Sequence, residues 1–210
     1  MDKNPQSTLD VFSVDTDVFV LLLGHFPLLP KSTTLLRKKG DRISIEESYR
    51  RLGPKRTEAL IGWYAFKGTD NTGLFAGKGV LSHFNAFMQA DEEILKAFTA
   101  FGLTQELYQH VSLIKWGGIC VYSTRPQTSV RIVLENLGGH YLHKKGKEGQ
   151  QLPPTRATLV PHTSRAYSMA LLWKLSKAPC PKIPSPTDYC WETIEGQLKP
   201  VFCVNAPALI

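Results

Sequence analysis

The segment that most constrains the fold is residues 9–23, which read LDVFSVDTDVFVLLL. Its first part is rich in β-branched and aromatic residues, and this composition predicts a buried strand over residues 11–14 that ends at Asp15. The apolar stretch that follows predicts a short helix, with Asp15 or Thr16 as its N-cap. A strand followed directly by a helix is typical of an α/β fold, and it would place Asp15 and Asp17 at the carboxyl end of the strand.

Turn residues and helical periodicity predict the next elements. A Lys-Gly-Asp turn at residues 39–41 predicts a β-hairpin over residues 35–45. Four glycines within residues 68–79 require sharp bends there. Apolar spacing and turn residues predict helices over residues 45–52, 56–66, 90–101, 104–115 and 163–175.

The second half of the chain contains a predicted linker. Residues 146–154 combine Gly, Gln and paired Pro, which disfavour packed helix or central strand. The proline-punctuated residues 178–210 are expected to wrap over the core as an extended tail. We therefore expect a main domain over residues 1–145, with a linker, helix and tail over residues 146–210 that pack on it.

Composition narrows the class of protein. A hydrophobic content of 42% is enough for one ordinary core, and 25 Lys and Arg against 18 Asp and Glu give a net charge of +7, which favours polyanionic partners. The longest apolar runs are far shorter than the roughly 20 residues that cross a bilayer, and the first residues do not read as a signal peptide. The four cysteines lack CxxC spacing and predict free thiols. An intracellular protein without a membrane span is expected.

Three aspartates are candidate metal ligands. Asp15 and Asp17 form a D-x-D pair, and Asp70 lies in the glycine-rich stretch GTDNTGLFAGKG. Carboxylates at the end of a strand suit a hard cation such as Mg²⁺. The alternative for Asp15 and Asp17 is helix capping with a favourable contribution from the helix dipole, and for Asp70 it is capping of the helix that follows a turn. Both alternatives remain open at the level of sequence.

Two basic regions are candidate phosphate contacts. The glycine-rich stretch, from Gly68 to Gly79, offers backbone N–H groups to one phosphate of a nucleic acid, with Lys67 before it and Lys78 between Gly77 and Gly79. An ordinary helix–helix turn is the alternative. The second region lies between the two aspartate motifs and is the better candidate for electrostatic binding of phosphates: Arg50, Arg51, Lys55 and Arg56.

The order of these motifs resembles that of a known superfamily. SVDTDVFVLLL, followed later by ALIGWYAFKGTDNTGLFAGKG, resembles the 5′-nuclease superfamily, the flap endonuclease and XPG-like branch of the PIN-like folds. The resemblance implies a truncated PIN-like fold that is mostly helical after the first strand and a β-hairpin. It implies that Asp15, Asp17 and Asp70 hold Mg²⁺ or Mn²⁺, and that Gly77-Lys78-Gly79 belongs to a turn that grips DNA backbone.

A closer similarity covers nearly the whole chain. It is to a group of transposon-associated animal proteins whose patterns read DTDVLVLLL and LPALHAFTGCDTTSAFFGKGK. Their LPPT and H-x-x-RA-x-Y elements correspond to residues 152–155 and to His162, Arg165, Ala166 and Tyr167. His162 is expected to cap or pack. The superfamily also has acidic residues upstream of D-x-D, so this chain is expected to be the carboxyl-terminal part of such a domain.

Three hypotheses of function follow from the resemblance. The first is a Mg²⁺-dependent, structure-specific endonuclease or exonuclease that hydrolyses phosphodiesters with two metal ions. The second is a non-catalytic DNA-binding or scaffold remnant of a mobile-element protein. The third is an incomplete gene product whose first strand lacks a neighbour and exposes apolar surface. DNA is the expected partner, with RNA as the alternative, and a DNA partner implies the nucleus.

Overall fold

The computed structural model describes residues 7–38, 40–69, 72, 80–103 and 156–201. The chain divides into two compact units, residues 1–61 and 62–210. The predicted boundary between residues 145 and 146, the predicted helix over residues 104–115 and the predicted linker lie outside the described residues.

The first unit is a small α/β layer. Its sheet has the order β1-β2-β3, in which β1 pairs with β2 in parallel and β2 pairs with β3 antiparallel. The elements in chain order are β1 (Asp10–Phe12), α1 (Thr16–Gly24), a 3₁₀ turn (Phe26–Leu28), β2 (Thr34–Leu36), β3 (Arg42–Ser44) and α2 (Ile45–Leu52). The predicted strand–helix start, the hairpin and the helix at residues 45–52 are confirmed, although β1 ends at Phe12, before Ser13 and Val14.

One face of this sheet is covered. The central residues of the three strands, Val11, Leu35 and Ile43, are neighbours in the register, and Leu35 is fully buried. The other face carries Phe12, which is 69% exposed. Since successive side chains of a strand point to opposite faces, the sheet packs through its odd-numbered residues here.

Helix α3 (Pro54–Lys67) crosses from the first unit into the second. It begins just after Gly53, whose φ of 82° ends α2 in a left-handed conformation that suits glycine. The apolar spacing of three and four that predicts this helix also predicts one apolar face, but every residue from Ala59 to its end is buried. A helix buried on all sides needs apolar residues all round, and α3 has them.

The second unit is mainly helical. Its elements are α4 (Val80–Met88), α5 (Glu92–Ala100), α6 (Arg156–Leu175), a 3₁₀ turn (Pro186–Tyr189), β4 (Trp191–Ile194) and β5 (Gln197–Pro200). The prediction of α5 is confirmed, and Asp91 is its N-cap, accepting from the Ile94 amide. Helix α4 was not predicted. Helix α6 begins at Arg156 and not at residue 163, because the buried Pro161 is accommodated inside the helix.

The prediction of a wholly extended tail is also wrong. Strands β4 and β5 form an antiparallel hairpin, and its turn residues Glu195 and Gly196 both have positive φ. The Tyr189 side chain just before the hairpin is buried, and its ring stacks on Tyr167 of α6 at 6.1 Å between centroids. This aromatic contact holds the segment against the helical core.

Two further expectations concern membrane and redox class. Of the helices that the structure describes, none is long and apolar enough to cross a bilayer. Cys180 and Cys190 are free thiols, as predicted. The other two cysteines lie outside the described residues.

Candidate carboxylate site and nucleic-acid interface

The carboxyl ends of β1 and β2 meet at one edge of the sheet. The strands are parallel, and the Ser13 amide donates to the Leu36 carbonyl at 3.1 Å, so the residues after the two strands lie side by side. Asp15 and Asp17 therefore lie at the carboxyl edge of a parallel strand pair, as predicted. In α/β sheets this edge is the usual place for ligands.

Asp15 has a structural role in this position. Its Oδ1 accepts from the Asp17 amide at 3.0 Å, which makes Asp15 the N-cap of α1. The Asp15 amide in turn donates to Ser13 Oγ at 3.1 Å. Asp17 lies in the first turn, where a negative charge interacts favourably with the helix dipole. The capping alternative is thus confirmed for Asp15.

Capping leaves oxygen atoms for a cation. The second oxygen of Asp15 and the carboxylate of Asp17 have no hydrogen bond or ion pair with the described residues. Asp15 is exposed and Asp17 half-buried, so water can reach both. Mg²⁺ commonly binds one or two carboxylates and keeps several waters, and this pair fits that requirement for one ion.

A larger metal site is not formed by the described part of the chain. There, no three His, Cys, Asp or Glu side chains come together as a metal-binding group. The third predicted ligand, Asp70, lies outside the described residues. The described carboxylates alone therefore suit a single hydrated cation and not a pair of ions.

The second candidate region is the corner between α2 and α3. Arg50 and Arg51 occupy the last turn of α2, where positive charge favours the helix dipole. Lys55 and Arg56 follow at the start of α3, whose first turn has no acidic residue. Arg50, Arg51 and Lys55 are exposed, and Arg56 is half-buried.

An acidic side chain pairs with a cation of this corner. Glu47 pairs with Arg51 one turn away on α2, and the arginine side chain remains 79% exposed. Such an exposed i,i+4 pair contributes only about 0.3–0.5 kcal/mol, so it does not hold Arg51 away from another anion. The corner thus combines four cations within residues 50–56, of which Arg50, Arg51 and Lys55 are exposed to solvent.

Lys67 and Gly68 lie in a different environment from the one the sequence suggested. Lys67 is only 7% exposed, its Nζ lies 4.1 Å from the Tyr64 ring centre, and it donates to the Gly68 carbonyl at 3.2 Å. Gly68 has a φ of 109° and ends α3. Their predicted contact with phosphate stays a prediction. Gly77, Lys78 and Gly79 lie outside the described residues.

Side chains close the carboxyl end of α3. The Thr72 hydroxyl accepts from the Thr69 amide at 2.8 Å and donates to the Ala65 carbonyl at 3.4 Å. His162 of α6 bonds through Nε2 to the Phe66 carbonyl at 2.8 Å, which confirms that it caps and packs. Sequence reasoning missed the threonine pair, although the T-x-x-T spacing after a predicted helix could have suggested it.

Burial controls the protonation of His162. The side chain is out of contact with most water, and this desolvation lowers the pKa of His162 below its ordinary value of 6.5. The bond to the Phe66 carbonyl opposes the shift, and the positive charge of Arg165 adds to it. A neutral ring that donates from Nε2 satisfies the carbonyl without a buried charge.

Comparison with known proteins adds no relative to this description. No family model, curated protein or solved structure matches the chain.

Proposed function

We propose that this chain is a nuclease-like protein that binds the sugar–phosphate backbone of nucleic acid at the α2–α3 corner. The observation that carries the proposal is the group of four cations in this corner: Arg50, Arg51, Lys55 and Arg56. DNA is the proposed partner, and nuclear location belongs to the same proposal.

Electrostatics favours a polyanion at this corner. Phosphates lie at regular intervals along a nucleic acid, and each one neutralised by Lys or Arg releases condensed counterions. The amino end of α3 adds the positive end of its helix dipole to the charges of Lys55 and Arg56. These contributions favour the backbone of any sequence, so the proposed binding is sequence-independent.

Salt dependence tests the binding. With four phosphate contacts, log K should fall with log salt with a slope of about −3.6 on duplex DNA, or about 150-fold between about 0.05 and 0.2 M salt. The measurement is fluorescence anisotropy of a labelled duplex with the full chain, in chelator. Affinity that does not change with salt, or an absence of binding at low salt, would rule the proposal out.

The carboxylates carry the nuclease-like part of the proposal. Asp15, Asp17 and Asp70 are the proposed ligands of Mg²⁺ or Mn²⁺. An ion held by these carboxylates would provide Lewis-acid chemistry for phosphodiester hydrolysis. The chain itself orients Asp15 through the cap of α1 and keeps Asp17 open to solvent beside it.

A non-catalytic DNA-binding protein is the second candidate. The observation that favours it is the capping bond of Asp15, which gives this carboxylate a structural role without any metal. Asp15→Asn distinguishes a nuclease from a non-catalytic DNA-binding protein, because Asn caps a helix about as well as Asp and should preserve α1. A nuclease should lose Mn²⁺-dependent cleavage in Asp15→Asn and in Asp70→Asn, whereas a non-catalytic protein should bind DNA equally well before and after either change.

A further inference from the structure

Arg37 lies at the same sheet edge as the candidate carboxylates. It follows β2 directly, and the Ser13 bond to Leu36 places the residue after β1 beside it. The hairpin fixes its backbone, because the Arg37 amide donates to the Asp41 carbonyl at 3.0 Å and its carbonyl accepts from Gly40 at 2.9 Å. The guanidinium is thus carried by a constrained turn and not by a loose loop.

The Arg37 side chain has no polar partner among the described residues. Its Nε is buried from water and has no hydrogen-bond acceptor. None of the ion pairs among the described residues involves it. The contrast with Arg42 on the same hairpin is direct, because Arg42 donates to Asp10 at 2.9 Å across the sheet.

A buried N–H group without an acceptor, such as Arg37 Nε–H, costs free energy. Such groups are rare in folded proteins, and they often indicate a functional role. One such role is to donate a hydrogen bond to an oxygen atom of a ligand. Arg is suited to phosphate because Nε–H and Nη–H can bond two oxygens of one group at once. The hairpin also carries the exposed Lys38 and Asp41, and residues 37–42 together have a net positive charge.

We propose that Arg37 binds a phosphate group of the nucleic-acid backbone, beside Asp15 and Asp17. The proposal rests on the proposed function and adds to it a residue outside the α2–α3 corner. It places a phosphate next to the carboxylates, which is where phosphodiester chemistry would need one. A small rotation of the side chain gives the buried Nε–H the oxygen that the protein does not supply.

The test is an NMR titration of the full chain in chelator. The ¹H–¹⁵N signal of Arg37 Nε is assigned by its loss in Arg37→Lys, and it should shift when a single-stranded dT₁₀ is added. Arg37→Met should reduce the salt slope for dT₁₀ by about 0.7, which is about fivefold in affinity at about 0.1 M salt. Because Met keeps the apolar stem and removes the unsatisfied N–H, its melting temperature should equal or exceed that of the native chain.

Lys31→Gln is the matched control. The substitution removes one positive charge, as Arg37→Met does. Lys31 is exposed and precedes β2, so it lies towards the opposite edge of the sheet. Its affinity should stay closer to native than that of Arg37→Met. Equal losses in the two variants, or an Arg37 signal that does not move while the chain binds dT₁₀, would overturn the proposal.

A titration with inorganic phosphate distinguishes a failure of the Arg37 site from a failure of the proposed function. If the chain does not bind DNA but the Arg37 Nε signal still shifts with phosphate, the Arg37 site stands and the function is wrong. If neither ligand moves the signal, the Arg37 site is wrong. A large drop in the melting temperature of Arg37→Met with unchanged DNA affinity would show a structural arginine and also overturn it.

Discussion

Two buried threonines of the second unit should respond in opposite directions to the same substitution. Thr72 is 3% exposed and Thr163 is 1% exposed, so valine fits either site by shape. The Thr72 hydroxyl bonds the Thr69 amide at 2.8 Å and the Ala65 carbonyl at 3.4 Å. The Thr163 hydroxyl has no hydrogen-bond partner in the part of the chain that the structure describes.

The magnitudes follow from these bonds. Thr72→Val removes this partner from the Thr69 amide, the Thr69 hydroxyl and the Ala65 carbonyl, and at about 1 kcal/mol for each the cost is roughly 3 kcal/mol in total. Thr163→Val removes a buried hydroxyl that bonds nothing, and should stabilise the fold by about 1 kcal/mol. For a chain of this size, the expected changes in melting temperature are a fall of about 6–12 °C and a rise of about 2–4 °C.

Thermal unfolding followed by circular dichroism measures both changes. Thr72→Ser keeps the hydroxyl and should lose much less stability than Thr72→Val. Because Asp70 lies between Thr69 and Thr72 in the sequence, Thr72→Val should also weaken any Mn²⁺ binding that Asp70→Asn abolishes. Equal destabilisation by the two valine substitutions would refute the assignment of the Thr72 hydroxyl as the cap of α3.

Three further predictions concern pH and packing. The neutral ring of His162 is favoured in the folded protein, so the free energy of unfolding should fall as pH drops below about 6.5, and His162→Gln should reduce that dependence in a denaturant series. Lys174 donates to the Thr99 and Phe101 carbonyls at 2.6 Å each, and burial lowers its pKa to about 8. Because the unfolded chain binds the Lys174 proton up to its ordinary pKa of 10.5, the free energy of unfolding should rise between pH 8 and 10.5, and Lys174→Met should remove that rise. A Cβ on Gly62 would lie 2.1 Å from the Phe98 carbonyl oxygen, so Gly62→Ala should destabilise by about 2–4 kcal/mol in urea unfolding, whereas Gly24→Ala, which meets only the flexible Ile61 side chain, should cost less.

Local signals in the sequence predicted the elements of the first unit well. The cap at Asp15 and the turn between β2 and β3 each depend on a few neighbouring residues, and both were predicted. Helix α5 follows the same rule, since Asp91 caps it locally. Such elements can be predicted from sequence because the residues that define them are neighbours in the chain.

Errors arose where distant residues decide the structure. Pro161 normally indicates a helix boundary, but its burial in the core lets α6 continue through it. The proline-rich tail contains a hairpin, and the stacking of Tyr189 on Tyr167 just before it is a contact that the sequence does not reveal. Lys67 is buried because α3 packs on all sides, and its position before the glycine-rich stretch does not indicate that burial.

The candidate site also has a part that the sequence predicts and a part that it does not. The carboxyl edge was predictable, because a strand followed by a capped helix determines where Asp15 and Asp17 lie. Arg37 was not, because its lack of a partner is visible only when the surrounding side chains are placed. The unsatisfied groups of a site are properties of the folded chain and not of any short motif.

The most direct test of the proposed nucleic-acid binding is the salt slope of duplex DNA binding in two double variants of equal charge. Arg50→Gln with Arg51→Gln removes two cations of the α2–α3 corner, and Lys182→Gln with Lys199→Gln removes two exposed cations of the second unit. We predict that the slope changes by about 1.8 in the first variant and stays at the native value in the second. The same slope in both variants would contradict the assignment of the corner as the nucleic-acid interface.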